Sequence, residues 1–186
     1  MRSGWTLFLD RDGVINELLP MDYVKTKQEF VFKKEALEEL ALLSKIFDNL
    51  FIVTNQQGVG KRLMSEEDLM DVHNYMLEEI QRAGGRITKV YSCIHLKELD
   101  CDCRKPKPGM LRQAFKEYPE SDPVKSIVVG DSSSDIEMAH YLGILSVGLI
   151  HIYNMQSIWL PKPDYLVNNL TELRMKVLPL IFEEEG

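Results

Sequence analysis

The chain has 186 residues, 45% of them hydrophobic and 27% charged, with a formal net charge of −7. That length suits one domain with a sizeable core, and the acidic balance argues against nucleic acid or an anionic membrane as partner. No apolar run reaches the roughly 18–20 residues of a membrane span, and the N-terminus lacks a charged-then-apolar leader; a cytoplasmic chain, monomeric or weakly self-associating, is expected.

The first element in chain order is the most informative. Trp5 to Leu9 is a short apolar run that suits a buried parallel strand, and it ends in Asp10-Arg11-Asp12-Gly13. In an open α/β sheet, ligands bind beyond the carboxyl ends of the strands. Two carboxylates two residues apart on an extended chain project the same way. Left bare they repel until one takes up a proton. A hard divalent cation such as Mg²⁺ removes that conflict with oxygen ligands alone. On these residues by themselves, a solvated acidic turn is the plainer alternative.

Residues 17 to 32 read as a loop placed to touch a substrate. Lys34 to Phe47 carries Leu37, Leu40, Leu43 and Phe47 at helical spacing. Leu50 to Val53 is a second strand, followed by Thr54-Asn55-Gln56-Gln57-Gly58. Ser65 caps a helix with Leu69, Val72, Met76, Leu77 and Ile80 on one face, stopped by Gly84-Gly85. His73 near that face reads as a packing or surface histidine. Ile87 to Ser92 is a third strand, and a polar excursion from Cys93 to Pro108 leads into a helix from Gly109 to Tyr118. Ser126 to Val129 is a fourth strand opening onto Gly130-Asp131-Ser132-Ser133-Ser134-Asp135 and a helix to Leu142. Ile144 to Leu149 is a fifth strand, residues 150 to 163 are irregular, Tyr165 to Val167 is a short edge strand, and Leu170 to Phe182 is a terminal helix. Strands alternating with helices predict one α/β domain over residues 1–186, Rossmann-like, its parallel sheet covered on both faces. There is little room for a separate cap domain.

Four strand ends or nearby loops then offer polar groups to one edge of the sheet: Asp10 and Asp12, Thr54 and Asn55, Arg104 and Lys105, and Asp131 and Asp135. Phosphoryl transfer needs this set. A carboxylate attacks phosphorus, a second carboxylate moves the proton, a cation offsets repulsion, and a hydroxyl, an amide and a lysine hold the equatorial oxygens. The segments LDRDGVIN, TNQQG, CRKPKPGM and GDSSSD resemble, in order, the four motifs of the haloacid dehalogenase (HAD) superfamily of phosphatases. The resemblance covers Leu7 to Asp135. It implies Asp10 as nucleophile and Asp12 as general acid and base. It implies that Thr54, Asn55, Gln56, Arg104 and Lys105 contact substrate and phosphate, and that Asp10, the main-chain carbonyl of Asp12, and Asp131 hold Mg²⁺. Asp135 reads either as a support behind them or as a helix-start acid.

All three cysteines fall in one short window with a histidine: Cys93, His95, Cys101 and Cys103. A Cys₃His set suits structural tetrahedral Zn²⁺, although each pair has one intervening residue where zinc fingers commonly have two to four. Free thiols, or a redox pair of Cys101 and Cys103, are the alternatives. Zinc here would fold a loop too polar to bury a core and would fix Arg104 and Lys105 just beyond it. His140 and His151 fit no cluster. The CxH…CxC loop is similar to the zinc-containing, capless subgroup holding heptose bisphosphate and histidinol-phosphate phosphatases. The stretch from Thr54 to Leu69 and KPKPGM look like the heptose enzymes; the five-residue gap from His95 to Cys101 looks like the histidinol enzymes. Ser132 departs from the Lys or Arg that follows the fourth-motif Asp in many of them. Lys25, Lys27, Lys61 and Arg62 are possible replacements or plain surface cations. The sequence thus points to a phosphatase of a small phosphorylated metabolite, a heptose 1,7-bisphosphate before histidinol phosphate. A catalytically silent, zinc-stabilised binding module is the rival of another class.

Overall fold

The computed structural model describes residues 4–154 and 159–183. Its centre is a six-stranded, wholly parallel sheet in the order β3-β2-β1-β4-β5-β6. The strands are β1 (Thr6–Leu9), β2 (Asn49–Asn55), β3 (Lys89–Cys93), β4 (Ser126–Gly130), β5 (Leu145–Leu149) and β6 (Tyr165–Val167). Successive side chains of a strand face opposite ways, and β1 shows it. Leu7 and Leu9 enter a core with Leu40, Val72, Met76 and Phe182, whereas Phe8 enters a second core with Phe51, Met110, Leu111 and Met138. A sheet buried on both faces needs apolar residues at every position, which is why β1 and β2 read as unbroken apolar runs.

The helices are α1 (Ala36–Leu43), α2 (Gln57–Gly60), α3 (Glu66–Arg82), α4 (Gly109–Glu117), α5 (Ser133–His140), α6 (Leu170–Glu172) and α7 (Leu178–Glu183), with a π-helical turn at Leu173–Val177 joining the last two. Ser65 caps α3 as expected: its hydroxyl accepts from the Asp68 N–H (3.0 Å) and Asp68 accepts from the Ser65 N–H (2.8 Å). Arg174 forks onto buried Glu39 (2.6 and 3.0 Å), which ties the C-terminal helical run to α1.

Several boundaries differ from the sequence reading. The first helix ends at Leu43 because the Ser44 hydroxyl turns back to the Leu40 carbonyl (2.6 Å), so residues 44 to 46 form a turn. The third strand starts two residues later than read and ends one later, since Ser92 and Cys93 pair with Thr54 and Asn55. Cys93 is therefore a buried strand residue, not the start of a loop. Helix α2 breaks what read as a loop, placed as one turn directly after the polar end of β2. Residues 155–158 of the irregular stretch lie outside the described residues.

This topology has one switch point. From β1 the chain builds outward through β2 and β3, then returns to the other side of β1 for β4, β5 and β6. A crevice opens where the direction reverses, at the carboxyl ends of β1 and β4, and such crevices are where open α/β sheets bind ligands. The Asp10 N–H donates to the Val129 carbonyl (2.9 Å) across that junction.

Candidate active site

Asp10 follows β1 and Asp131 follows β4, so the two face each other across the switch point. Ligand oxygens of Asp10, Asp131 and Asp135 lie within 4.8 Å of one another. The Lys105 ammonium stands among them, 2.9 Å from Asp10 Oδ1 and 2.6 Å from Asp135 Oδ1, and donates to the Val53 carbonyl (3.1 Å). Burial works against that charge, but Asp10 and Asp135 outweigh it and hold the ammonium more firmly protonated than an ordinary lysine. Asp10 goes the other way. Burial raises its pKa well above the usual carboxylate range, Asp135 and Asp131 push it further, and Lys105 offsets them only in part. Asp10 Oδ1 also accepts the Arg11 N–H (2.7 Å), while Oδ2 accepts no hydrogen bond from the described residues. Three carboxylates against one ammonium leave an excess of negative charge in a dry place, and an oxygen-only donor set of that kind fits a hard divalent cation.

Asp135 serves both roles open to it in the sequence. It is the third residue of α5 and closes a capping box, its Oδ2 accepting from the Ser132 N–H (3.2 Å) and hydroxyl (2.6 Å). Its Oδ1 holds Lys105, so both oxygens are engaged. Gly130 makes this approach possible, since a Cβ there would lie 2.2 Å from the Asp135 carboxyl carbon.

Asp12 is bound by three side chains. The Arg11 guanidinium reaches both of its oxygens (3.0 Å each), Asn16 Nδ2 donates at 2.9 Å and Gln56 Nε2 at 2.7 Å. Burial alone would raise the Asp12 pKa, but Arg11, Asn16 and Gln56 together bring it below the ordinary value. Arg11 was invisible as a site residue in the sequence. Its side chain is fully buried, and its other guanidinium nitrogen meets His73 Nε2 at 3.1 Å. His73 is accordingly more than packing: burial, then the Arg11 charge, lower its pKa to about 3, so it is a neutral acceptor.

The second-motif residues divide their labour. The buried Thr54 hydroxyl accepts from Gln56 Nε2 (2.9 Å), which leaves its own proton to donate. The Asn55 side chain latches Lys105, accepting from its N–H (3.1 Å) and donating to its carbonyl (3.3 Å). Arg104 is half-buried, and its Nη1 has no hydrogen-bond partner among the described residues. Lys25 pairs with Asp22 (2.7 Å) and Lys61 reaches the Tyr23 hydroxyl (3.2 Å), so neither is drawn to the acid cluster.

His151 was read as fitting no cluster, and the structure corrects that. Its Nε2 lies 2.7 Å from Asp131 Oδ2. The loop after β5 delivers it there, twenty residues from its partner, which no local pattern could reveal. Burial raises the Asp131 pKa; His151 opposes the shift and Asp135 adds to it. Gly13, at φ +83°, forms the facing wall, where a Cβ would come within 2.0 Å of Asp131 Oδ2. A cavity of about 570 Å³ opens beside this pair, lined by Leu18, Ser132, Ser133, Tyr153 and Trp159 among others.

The second cluster sits at the end of β3. Sγ of Cys93, Cys101 and Cys103 are 3.2 to 3.5 Å apart, and His95 Nδ1 is 3.2 Å from Cys103 and 3.8 Å from Cys93. A tetrahedral zinc with bonds of about 2.3 Å to sulfur spaces its ligands by roughly 3.5–3.8 Å, close to this arrangement. Burial, with Cys93 and Cys101, pushes the Cys103 thiol up to about 12. Against burial, hydrogen bonds from Cys103, Cys93 and His95 bring Cys101 down to about 7. The four groups thus fit a soft cation that takes thiolates.

Known proteins give the same frame. A HAD-hydrolase-like family model matches residues 102–173. A D-glycero-alpha-D-manno-heptose-1,7-bisphosphate 7-phosphatase of Mycobacterium tuberculosis is 43% identical over 141 residues, covering 75% of this chain and 74% of its own. The corresponding beta-heptose phosphatase of Rhodopseudomonas palustris is 40% identical over 144 residues, covering 74% and 78%. Among solved structures, the D,D-heptose 1,7-bisphosphate phosphatase of B. bronchiseptica, complexed with magnesium and phosphate, superposes with a TM-score of 0.86 at 27% identity, covering 94% of this chain and 98% of that one. The chain belongs to the heptose-1,7-bisphosphate 7-phosphatase family of HAD-like hydrolases.

Proposed function

We propose that this chain is a Mg²⁺-dependent phosphatase that removes the 7-phosphate of a D-glycero-D-manno-heptose 1,7-bisphosphate through an aspartyl phosphate on Asp10. The observation that carries the reading is the buried Lys105 ammonium held by Asp10 and Asp135 at the switch point, with Asp131 opposite. Asp10 and Asp131, with the main-chain carbonyl of Asp12, would hold Mg²⁺. When bound, the ion supplies positive charge against the phosphate oxygens and offsets the carboxylates' mutual repulsion. Asp135 has no free oxygen and acts by positioning Lys105.

In the first half-reaction a carboxylate oxygen of Asp10 attacks phosphorus in line, and the bond to the sugar oxygen breaks. Asp12 gives its proton to that leaving oxygen. In the second half Asp12 takes a proton from water, which attacks the phosphorus and releases Asp10. The donors around Asp12 favour its carboxylate, which readies it for the second half. Its acid form has to be created by an arriving phosphate, whose negative charge raises the pKa of a neighbouring carboxylate. Lys105, the Thr54 hydroxyl and the chain around Asn55 and Gln56 hold the transferring group. The unpartnered Arg104 Nη1 supports a contact to a second substrate oxyanion, because a buried guanidinium N–H left unpaired is costly. The Cys93, His95, Cys101 and Cys103 set would hold a structural Zn²⁺ that keeps Arg104 and Lys105 in place.

The test is phosphate release by purified protein with Mg²⁺, comparing both heptose 1,7-bisphosphate anomers with histidinol phosphate. A kcat/KM ratio of about 100 for the bisphosphate, about 2.7 kcal/mol of transition-state discrimination, is expected. The opposite ratio would move the assignment to histidinol phosphate, and no turnover with any phosphate ester would leave a binding module.

A further inference from the structure

Asp131 is gripped by one short turn. After β5 the chain folds around Asn154, whose side chain accepts from the His151 N–H (2.7 Å) and donates to the Leu149 carbonyl (2.9 Å) and the Asp131 carbonyl (2.7 Å). The Asn154 N–H returns to the His151 carbonyl (3.0 Å). The same turn points the Tyr153 N–H at His151 Nδ1 (3.2 Å). That nitrogen is an acceptor, so the ring carries its proton on Nε2, and Nε2 donates to Asp131 Oδ2 at 2.7 Å. Both side chains are 10% exposed. On the opposite side Gly13 leaves no slack, since a Cβ there would sit 3.2 Å from His151 Nε2 and 2.0 Å from Oδ2. Asp131 Oδ2 is therefore committed to the imidazole, while Oδ1 accepts no hydrogen bond from the described residues.

We propose that His151, held by Asn154, is a positioning residue that fixes the Asp131 carboxylate so that Oδ1 alone is presented to the catalytic cation. The proposal rests on the reading of Asp131 as a cation ligand. Hydrogen-bonded partners of metal ligands fix their orientation, and removing one costs about 10- to 100-fold in metal affinity. Neither the motif residues nor α5 supplies this support; the loop after β5 does. It makes that loop part of the cation site although it carries no ligand.

The experiment is direct Mn²⁺ binding, read from the free-ion EPR signal, on zinc-loaded protein without substrate. The variants are His151→Leu, His151→Gln and Asp131→Asn, each checked for folding by thermal melt. His151→Leu should weaken Mn²⁺ binding by about 10- to 100-fold. His151→Gln, which keeps an N–H donor at similar reach, should recover most of that loss. In turnover, the Mg²⁺ concentration for half-maximal rate should rise by a similar factor, with kcat at saturating Mg²⁺ nearly unchanged. Should His151→Leu not fold, Asn154→Ala leaves the imidazole present but loosens its turn, and should weaken binding in the same direction. Unchanged or tighter binding in His151→Leu, with binding lost in Asp131→Asn, would overturn the proposal, tighter binding meaning that the imidazole competes with the ion. Full binding in Asp131→Asn would overturn it at its premise.

Discussion

The acid cluster at the ends of β1 and β4 and the sulfur cluster of residues 93–103 each bring their ligand atoms within 4.8 Å, and each suits a metal. Their support differs. The acids rise from fully buried strands, and Lys105 already stands among them as a cation of the chain's own. The sulfur ligands span a loop in which Cys93 alone belongs to a strand, residues 97–100 are exposed, and Leu99 is 63% exposed. Lys107, whose charge reaches Cys101, is paired with Asp100 (2.8 Å), and among the described residues no cation is held between the thiols as Lys105 is between the acids. The difference predicts that the acid site keeps its shape without a metal, whereas the sulfur loop would need one to hold its own.

The sharpest break of that contrast is chemical. Asp10→Asn should lower turnover by about 10⁴-fold or more, roughly 5.4 kcal/mol of barrier, and yet leave the fold at least as stable at neutral pH. The sign follows from linkage. Asp10 has a folded pKa above its unfolded one, so its contribution is lost as pH rises from 3.8 through the folded value, and an amide carries no such cost. Steady-state phosphate release together with urea melts of both proteins checks it. A less stable Asp10→Asn would mean that the carboxylate supports the fold as well as the chemistry.

Lys105→Met should turn the acid cluster into one that resembles the sulfur loop. Removing one partner from a buried ion cluster costs about 3–5 kcal/mol, because the remaining charges are left uncompensated. The variant should then gain stability from added Mg²⁺, which the parent does only weakly. Thermal melts with and without Mg²⁺ measure that difference, and an equal Mg²⁺ shift in both proteins would sink the idea. Conversely, stripping zinc with a chelator should raise amide exchange in residues 94–103 by about 100-fold, about 2.7 kcal/mol of lost protection, with β1 and β4 unchanged. Slow exchange in the stripped loop would show that it folds without a metal.

What the sequence revealed follows the same division between local and long-range causes. Apolar runs ending in acids, hydroxyls or glycine marked all the central strands, because a doubly covered parallel strand has no polar alternation to hide it. The cluster of three cysteines and a histidine was legible because its members lie close together in the chain. Arg11 was not, since an arginine between two aspartates reads as solvated until Phe30 and His73 enclose it from distant segments. His151 was missed for the same reason. Asn55 looked like a free phosphate donor, but its side chain meets the Lys105 backbone fifty residues away. Residue type and order announced which side chains gather at the switch point, while the hydrogen bonds that support them depended on the tertiary fold.

His73 gives the smallest effect and a clean one. Its folded pKa is about 3 against an ordinary 6.5, set by burial and then by the Arg11 charge, with Asp12 opposing. As pH falls below 6.5 the unfolded chain takes up a proton that the folded chain refuses, so this histidine costs stability progressively between pH 6.5 and about 3. Asp12, with its lowered pKa, acts in the same sense but only below its ordinary 3.8, outside the upper part of the window. Asp10 acts in the opposite sense there, since its cost grows as pH rises. The difference between parent and His73→Gln isolates the imidazole, because glutamine still accepts from Arg11 and does not titrate. Between pH 7 and pH 5 the parent should lose about 2 kcal/mol more than the variant. Parallel urea midpoints across that range would mean that His73 is charged in the fold, and that Arg11 turns its guanidinium to Asp12 without help from α3.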